Sequence, residues 1–259
     1  TSMRVVTISV NGLKTAIEKG LFDWVLDLDA DIVCVQDHRM RVAEFDLPEN
    51  SPEGYEAYFL DGENPEDGGV GIYTRQIPKA IMMGFSYGPA DLKGAFLQAD
   101  FDGVSIASLL APCALMDESK QQEKDEFMEA FGLHLKKTLR KRRQFLFCGS
   151  LHTAHLVTDA SPKYHRLEVS GFLPYERDWF DEVYDEMGYV DVFRRVNKDK
   201  HQYTWWPEWA EDWRAQAGWR TDYQIATSGL RNMVRRAWID TDTRFSDHAP
   251  LIADYDIAI

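Results

Sequence analysis

Apolar residues recur along this chain in short, uninterrupted runs that are separated by polar breaks, several of which contain glycine. Runs of about four to eight residues that are rich in β-branched and aromatic side chains are typical of buried strands. We predict strands at residues 4–10, 32–35, 55–60, 70–74, 96–101, 104–110, 144–148, 223–227, 234–239 and 250–255.

Other stretches show the spacing of an amphipathic helix. The first has apolar residues at Ile17, Leu21, Trp24, Val25 and Leu28 and is predicted as one helix. The second contains Phe127, Phe131 and Leu135, and a third is predicted over residues 179–187. Strands interleaved with helices indicate an α/β layered fold. No linker-like segment interrupts the pattern, so we predict a single domain over residues 3–259, with Thr1 and Ser2 interpreted as a cloning remnant.

The composition indicates the cellular compartment of the protein and limits the kinds of partner it can bind. Cys34 and Cys148 fall in predicted strands, and three cysteines cannot all pair, which favours reduced core cysteines in a cytoplasmic protein. No run of about 18 apolar residues predicts a membrane span. The formal net charge of −14 argues against unaided binding to long nucleic acids, although a local basic patch can act independently of the total charge.

One strand runs directly into a candidate active-site turn, Gly149-Ser150-Leu151-His152. This turn resembles the Gly-Asp-Met-Asn turn of the exonuclease III-like branch of the endonuclease/exonuclease/phosphatase family. Four further segments resemble motifs of that family and occur in the same order. They are Ser-Val-Asn-Gly-Leu at 9–13, Val-Gln-Asp at 35–37, Trp-Arg-Thr-Asp-Tyr at 219–223 and Phe-Ser-Asp-His-Ala-Pro at 245–250.

The resemblance implies a fold and a chemistry. The implied fold is a four-layer α/β sandwich, in which two β-sheets lie face to face and helices flank each sheet. The implied chemistry is Mg²⁺-dependent hydrolysis of phosphodiesters, in which carboxylates hold the hard cation and polar groups stabilise charge on the phosphate. Asp222 and His248 match the family's Asp–His pair, and Asp247 matches the carboxylate near the metal. Asp37 stands at the place of the metal-binding Glu, which is one methylene longer.

Several other family positions have changed residue type. Ser9 replaces an Asn, Leu110 replaces a phosphate-side Tyr, Ser150 replaces the water-orienting Asp and His152 replaces its companion Asn. Ala95, after Gly94, replaces an Arg. Loss of a positioned general base costs about 10²–10⁴-fold in rate, and loss of one charge-stabilising donor costs roughly 10²–10³-fold.

We therefore predict a nuclease fold without nuclease activity. Asp37, Asp222, Asp247 and His248 would be vestigial, with Asp247 and His248 persisting as fold supports, and His152 is an unfavourable substitute base beside Leu110. No cofactor is expected; Asp37 and Asp247 are residual candidates for metal binding, and Mg²⁺ would be needed only if the chain is a working enzyme.

The set of substitutions is similar to the catabolite repression control branch of the family, with matches that include Gly171-Phe172-Leu173-Pro174 and residues 203–207. That resemblance implies a post-transcriptional repressor, which acts with the RNA chaperone Hfq on A-rich translation-initiation regions of mRNA. Two alternatives remain open. One is a divergent Mg²⁺-dependent DNA-repair nuclease of the exonuclease III type, which acts on abasic sites or 3′ ends. The other is a phosphoesterase with a small substrate, for which the sequence has no pocket signature.

Two basic clusters are candidate contacts with RNA or with a partner protein. The first, the helix-end cluster, comprises Lys136, Lys137, Arg140, Lys141, Arg142 and Arg143. The second, the strand-start cluster, comprises Arg231, Arg235 and Arg236. So few sites predict weak RNA binding without a partner.

Five of the eight tryptophans lie between Trp205 and Trp219. Trp205 and Trp206 are predicted to begin a strand and to pack near the old active site. Trp209 and Trp213 stand among acidic residues and are predicted to be partly exposed, which mildly favours a protein contact. His38 and Arg39 are interpreted as loop residues rather than as ligands.

Overall fold

The computed structural model describes residues 2–64, 67–115, 117–213 and 217–259. Its strands, in chain order, are β1 Met3–Ser9, β2 Ile32–Gln36, β3 Glu56–Phe59, β4 Val70–Thr74, β5 Ala80–Met83, β6 Phe96–Asp100, β7 Val104–Leu110, β8 Gln144–Ser150, β9 Val190–Asp191, β10 Asp222–Ala226, β11 Val234–Ile239 and β12 Leu251–Tyr255.

The helices lie between these strands. The α-helices are α1 Leu13–Glu18, α2 Leu21–Leu28, α3 Gly88–Asp91, α4 Gln121–Thr138, α5 Pro174–Asp181 and α6 Val192–Val196. A π-helical turn, Glu182–Glu186, follows α5 directly. Short 3₁₀ segments occur at Val42–Asp46, Pro48–Asn50, Glu118–Lys120, Val157–Asp159, Pro162–Tyr164 and Ser228–Met233.

The strands form two six-stranded sheets that pack face to face. The first sheet has the order β11-β12-β1-β2-β4-β3, and the second has the order β5-β6-β7-β8-β10-β9. The core between them takes buried side chains from both sheets, for example Val5 and Ile72 from the first and Ile106 and Leu146 from the second. Burying such side chains away from water stabilises the sandwich.

Helices cover the outer face of each sheet. Helices α1 and α2 bury Leu13, Leu21 and Val25 against the first sheet. Helices α4 and α5 bury Phe131 and Phe180 against the second. The four layers confirm the fold predicted from the sequence.

Most predicted strands are confirmed to within one or two residues, and the differences have local causes. The single helix predicted over residues 17–28 is two helices, because Gly20 adopts a left-handed φ of 95° between them. The helix predicted at 179–187 begins earlier, at Pro174, and ends in the π-helical turn. No prediction from the sequence covered β5, a partly exposed edge strand, or the short β9 and α6.

The sequence suggested that Gly149 opens a turn. In the structure it does not, because β8 continues through Gly149 to Ser150. The glycine is needed for close approach between strands: a Cβ atom here would lie 1.8 Å from the carbonyl oxygen of Leu109 on β7. A backbone this close to its neighbour tolerates no side chain.

The two ends of the sandwich carry different elements. In the first sheet β1 is parallel to β2, and in the second sheet β7 is parallel to β8. All four strands end at the same edge of the sandwich. Antiparallel β10 therefore begins at this edge, where Asp222 lies opposite Ser150. At the other edge β8 begins and β10 ends, and the hydroxyl of Thr227 donates to Gln144 Oε1 at 2.6 Å.

Cys34 and Cys148 are free and buried, as predicted, and Cys113 is free and exposed. Among the residues described, no helix combines the length and the apolar character needed to cross a bilayer.

Candidate active-site cleft

A cleft of about 420 Å³ opens at the edge where β1, β2, β7 and β8 end. Six of the predicted site residues line it: Ser9, Asp37, Leu110, His152, Asp247 and His248. The other two, Ser150 and Asp222, are fully buried behind this lining. The structure thus brings together the positions that the motifs identified.

Asp222 and His248 form the ion pair at the base of the cleft. Nδ1 of His248 donates to Asp222 Oδ2 over 2.8 Å, and the Thr221 hydroxyl donates to the same oxygen over 3.0 Å. Burial opposes charge on the imidazole, but the Asp222 carboxylate outweighs it and raises the pKa of His248 to about 9. His248 is therefore a cation at neutral pH.

Ser150 lies beside this pair without reaching the cleft. It is directly across from Asp222 in the antiparallel ladder, and its side chain is fully buried. Within the described residues, neither Ser150 Oγ nor Asp222 Oδ1 has a hydrogen-bond partner. A hydroxyl in this position has no contact with a molecule in the cleft and cannot act as a carboxylate base.

His152 stands where the family pattern has an Asn, so a neutral imidazole ring replaces the side-chain amide. Its Nδ1 donates to the carbonyl oxygen of Ala111 over 3.0 Å, in a backbone with φ of 49°. Burial, reinforced by the nearby charge of His248, lowers the pKa of His152 to about 4. A ring with such a pKa is a weak proton acceptor near neutral pH, where an efficient general base has a pKa close to 7.

A buried lysine that the sequence did not single out holds the turn after β8. Lys124 on α4 is fully buried, donates to the carbonyl oxygen of His152 over 3.0 Å and pairs with Glu176. The other carboxylate oxygen of Glu176 accepts the backbone N–H of Gly171 at 2.8 Å. No sequence signal separated Lys124 from the other lysines, because its burial depends on how α4 and α5 pack.

Asp37 is engaged by an arginine two residues later. Arg39 donates from Nε and Nη2 to the two carboxylate oxygens of Asp37, each at 3.1 Å. Such bidentate pairing uses the planar fork of the guanidinium. Sequence reasoning identified Arg39 as a loop residue, which is correct, but missed this pairing; the Asp-x-Arg spacing was the available signal.

The remaining carboxylate, Asp247, is bound by neighbours of its own. Trp205 Nε1 donates to its Oδ2 at 3.2 Å and Asn11 Nδ2 donates to its Oδ1 at 3.5 Å. His248 Nε2 lies 3.9 Å from Oδ1. The indole, the amide and the cationic ring together compensate this charge.

The donor set therefore does not fit a divalent cation. A hard cation such as Mg²⁺ needs several oxygen ligands that are not already committed. Both oxygens of Asp37 are bound by a guanidinium, and Asp247 faces a cationic imidazole. Across the described ranges, no group of three or more His, Cys, Asp or Glu residues could hold a metal ion.

Two further features of the lining weaken contact with a phosphate. Leu110 contributes an apolar side chain, not a hydroxyl, to the lining that also contains Asp37. The lining carboxylates are Asp37, Asp67, Glu123, Glu126 and Asp247, against Arg39, Lys93 and Lys120 among its Lys and Arg residues. With the cationic His248 also in the lining, the carboxylates outnumber the cations by five to four, so the cleft has no excess of positive charge.

The two basic clusters lie at the opposite edge of the sandwich. The helix-end cluster leads into the start of β8, and the strand-start cluster flanks the start of β11. Arg195 links this edge to α6, donating to the carbonyl oxygen of Arg231 over 3.2 Å. The seven residues of β8 separate this edge from the cleft, which corresponds to roughly 20 Å.

The members of the two clusters differ in their own partners. Arg143 is half-buried and donates to Ser105 Oγ at 2.8 Å and to the carbonyl oxygen of Phe101 at 2.5 Å. Lys136 pairs with Glu182 at 3.1 Å, and Arg235 pairs with Asp256. Exposed side chains in the two clusters are Lys136, Lys137, Arg140, Lys141, Arg142, Arg231, Arg235 and Arg236.

The tryptophans are placed partly as predicted. Trp205 lines the cleft and Trp206 is buried, but no strand begins here: Trp205 forms only isolated bridges, to Trp219 and His248. Trp209 is exposed, as predicted. Trp213 is buried, contrary to prediction, because its ring stacks on Trp206 with centroids 4.3 Å apart.

Comparisons with known proteins agree with this geometry. The chain is 28% identical over 252 residues to an exodeoxyribonuclease of Bacillus subtilis, covering 96% of this chain and 98% of that protein. It is 29% identical over 261 residues to the DNA repair nuclease APEX1 of Danio rerio, covering 96% and 81% of the two chains. Its fold matches an AP endonuclease from Archaeoglobus fulgidus with a TM-score of 0.84 and 25% identity, covering 98% of this chain and all of that one.

The match to the family model extends over residues 10–248, from the end of β1 to the histidine of the Asp222–His248 pair. This range contains the cleft residues described above except Ser9. The chain belongs to the endonuclease/exonuclease/phosphatase family.

Proposed function

We propose that this chain is a member of the family that does not hydrolyse phosphodiesters. The observation that carries the proposal is the state of Ser150 and His152. The place of the water-orienting carboxylate is a fully buried hydroxyl, and the place of its companion amide is a hydrogen-bonded histidine whose pKa is lowered to about 4. Without a positioned base, the rate falls by about 10²–10⁴-fold.

The proposed activity is post-transcriptional repression, exerted together with Hfq on A-rich mRNA. The distribution of charge supports this proposal. Exposed cations are concentrated at the edge opposite the cleft, where a phosphate backbone or an acidic partner surface would meet them. The cleft itself has no excess of positive charge that would attract an RNA strand. With a net charge of −14, the chain would bind RNA weakly on its own.

A second candidate function is a Mg²⁺-dependent nuclease acting on abasic sites or 3′ ends. Relatives favour it, because the exodeoxyribonuclease of Bacillus subtilis and the DNA repair nuclease APEX1 of Danio rerio are both named as nucleases. The intact Asp222–His248 pair, with a charged imidazole, is also compatible with stabilising a phosphate. The two candidates differ in hydrolysis, which can be measured directly.

An abasic-duplex cleavage assay, with Mg²⁺ or Mn²⁺, separates the two candidates. We expect no turnover above that of a His248→Ala variant prepared in the same way, since both would lack the base. Clean cleavage by the unaltered chain that disappears in His248→Ala would establish the nuclease and remove the proposed loss of hydrolysis. The same preparations should also be tested on a 3′-recessed duplex to cover exonuclease activity.

A gel-shift experiment tests the repressor. A-rich RNA should be shifted by Hfq, and addition of this chain should produce a further shift that does not form when Hfq is omitted. If the chain neither retards the Hfq–RNA complex nor shifts RNA alone at micromolar concentration, the repressor proposal is wrong, whatever the outcome of the cleavage assay.

A further inference from the structure

The turn that carries Asp37 and Arg39 is built to hold their ion pair in one place. Asp37 and Arg39 both adopt left-handed backbone conformations, with φ of 60° and 59°. Non-glycine residues adopt this conformation at an energetic cost, so the surrounding structure must impose it. Two such residues in alternation direct their side chains to the same side of the turn, where they meet.

Hydrogen bonds fix the turn from both flanks. The backbone N–H groups of Asp37 and Arg39 donate to the carbonyl oxygens of Gly69 and Gly68, each at 2.8 Å. On the other flank, the N–H of Gly12 donates to the carbonyl oxygen of Asp37 at 2.9 Å. The ion pair therefore rests on a rigid support rather than on a flexible loop.

The residue between them anchors the turn in the core. His38 is fully buried, its Nε2 donates to the carbonyl oxygen of Leu60 at 2.6 Å and its Nδ1 accepts the N–H of Met40 at 3.0 Å. Phe45 and Phe59 pack against its ring. With both ring nitrogens bonded, His38 cannot rotate without loss of these contacts.

The Asp37 carboxylate is mostly buried, with 21% of its side chain exposed. On one side it is bounded by Gly68, where an added Cβ would lie 3.0 Å from Asp37 Oδ1. The Arg39 guanidinium is half-exposed, and its Nε and Nη2 donate hydrogen bonds to the two carboxylate oxygens of Asp37. A unit positive charge thus stands where a cation bound to Asp37 would have to stand.

We propose that Arg39 takes the place of the divalent cation in this cleft and keeps metal ions out of it. Two effects act together. First, the guanidinium occupies the lone pairs of the Asp37 carboxylate that a cation would use. Second, its positive charge repels a dication a few ångströms away, and this repulsion is stronger than the attraction within a partly exposed ion pair. The inference concerns metal binding by Asp37 and does not depend on the repressor proposal.

The test is direct measurement of metal binding by electron paramagnetic resonance of free Mn²⁺, with Mg²⁺ followed by calorimetry. We expect the unaltered chain to show no saturable site up to about 1 mM metal, an affinity at the weak end of protein cation sites. In Arg39→Ala, one Mn²⁺ should bind at least about tenfold more tightly, because a repelling charge is removed and Asp37 is released.

Two further variants locate the effect. Adding Asp37→Asn to Arg39→Ala should abolish the gained site. Arg41→Ala is the matched control: it removes the same charge two residues away, where Arg41 donates to the carbonyl oxygen of Gly62 and does not line the cleft. Arg41→Ala should gain no site.

Four results would overturn the inference: equal metal binding by the unaltered chain and Arg39→Ala, no binding by either, an equal gain in Arg41→Ala, or a gain that survives Asp37→Asn. If Arg39→Ala does not fold, as judged by circular dichroism and thermal melting, Arg39→Met replaces it because methionine retains an apolar stem. Since the readout is binding, its failure is distinguishable from the presence or absence of DNA cleavage.

Discussion

Two histidines in the cleft are held in opposite charge states by their surroundings. The rings of His152 and His248 have centroids 5.9 Å apart. His248 faces Asp222 and is charged, whereas His152 faces a carbonyl oxygen and is neutral. Each state supports the other, because the charge on His248 lowers the pKa of His152. The Asp222–His248 pair is thus consistent with a fold support that links β10 to the segment before β12.

The pair should give the protein a characteristic loss of stability at alkaline pH. The folded-state pKa of His248 is about 9, above the ordinary value of about 6.5. A raised pKa contributes stability that is complete below about pH 6.5 and is lost as the pH rises through 9. The free energy of unfolding should therefore fall by about 3 kcal/mol between pH 6.5 and pH 9.5 because of this group alone.

Urea denaturation at a series of pH values measures this effect, and His248→Gln is the comparison. The variant should be less stable at pH 6.5 and should lack most of the alkaline decline. An identical decline in both proteins would show that another group causes it.

The buried Lys124–Glu176 pair is a second residue-scale feature. Lys124→Met should lower the free energy of unfolding by about 3–5 kcal/mol, because it leaves the Glu176 charge buried without its partner. Lys124→Met with Glu176→Gln should recover most of this loss. The glutamine removes the charge and retains an oxygen for the N–H of Gly171. Thermal or urea unfolding of both variants tests the prediction, and equal losses in the two would contradict it.

At the scale of elements, Gly149 shows how a strand and a site depend on one contact. Gly149→Ala would drive a methyl group into the carbonyl oxygen of Leu109, which is backbone and cannot rotate away. We expect a loss of at least about 3 kcal/mol, at or beyond the upper end for overpacking, with strands β7 and β8 forced apart. Gly88→Ala on α3 is the control, since nothing lies within 4 Å of its added Cβ. A small effect at Gly149, comparable with that at Gly88, would disprove the close approach.

The elements themselves were largely readable from the sequence. Strands such as Ile32–Gln36 and Val70–Thr74 are buried along their whole length, and apolar residues fill most of their positions, which marks them in the sequence. The edge strand Ala80–Met83 has no such covering and was missed. The split between α1 and α2 depends on the φ of Gly20, which helical periodicity does not reveal.

Residues of the candidate site could be predicted from the sequence only where they belong to a recognisable motif. Asp37, Asp222 and His248 were found by their motifs, and the structure places them in or directly behind one cleft. The pairing of Arg39 with Asp37 needs two left-handed residues in succession around His38, and the burial of Lys124 needs the packing of α4 against α5. Both depend on contacts between segments distant in sequence, which no local pattern specifies.

At the scale of the whole molecule, charge is divided between the two ends of the sandwich. The cleft, in which carboxylates and cations nearly balance, lies where β8 ends, and the exposed cations of the two basic clusters lie at the edge where β8 begins. A partner that binds the cations need not contact the cleft. Substitutions at the two ends should therefore act independently, as expected for sites well over 10 Å apart.

Charge reversal at the basic end tests this division. If the proposed complex with Hfq and A-rich RNA forms, Arg140→Glu with Arg142→Glu should weaken it by about tenfold or more. If both arginines contact single-stranded phosphates, the salt dependence of binding should also decrease by about 1.4 in logarithmic slope. Lys14→Glu with Lys19→Glu reverses two exposed charges on and just after α1, over the first sheet, and should leave the complex unchanged. Gel shifts at several salt concentrations give both quantities.

If the Arg140/Arg142 variant binds as the unaltered chain does, or if the Lys14/Lys19 variant is weakened equally, the basic end is not the contact surface, and the contribution of charge must be sought elsewhere on the molecule.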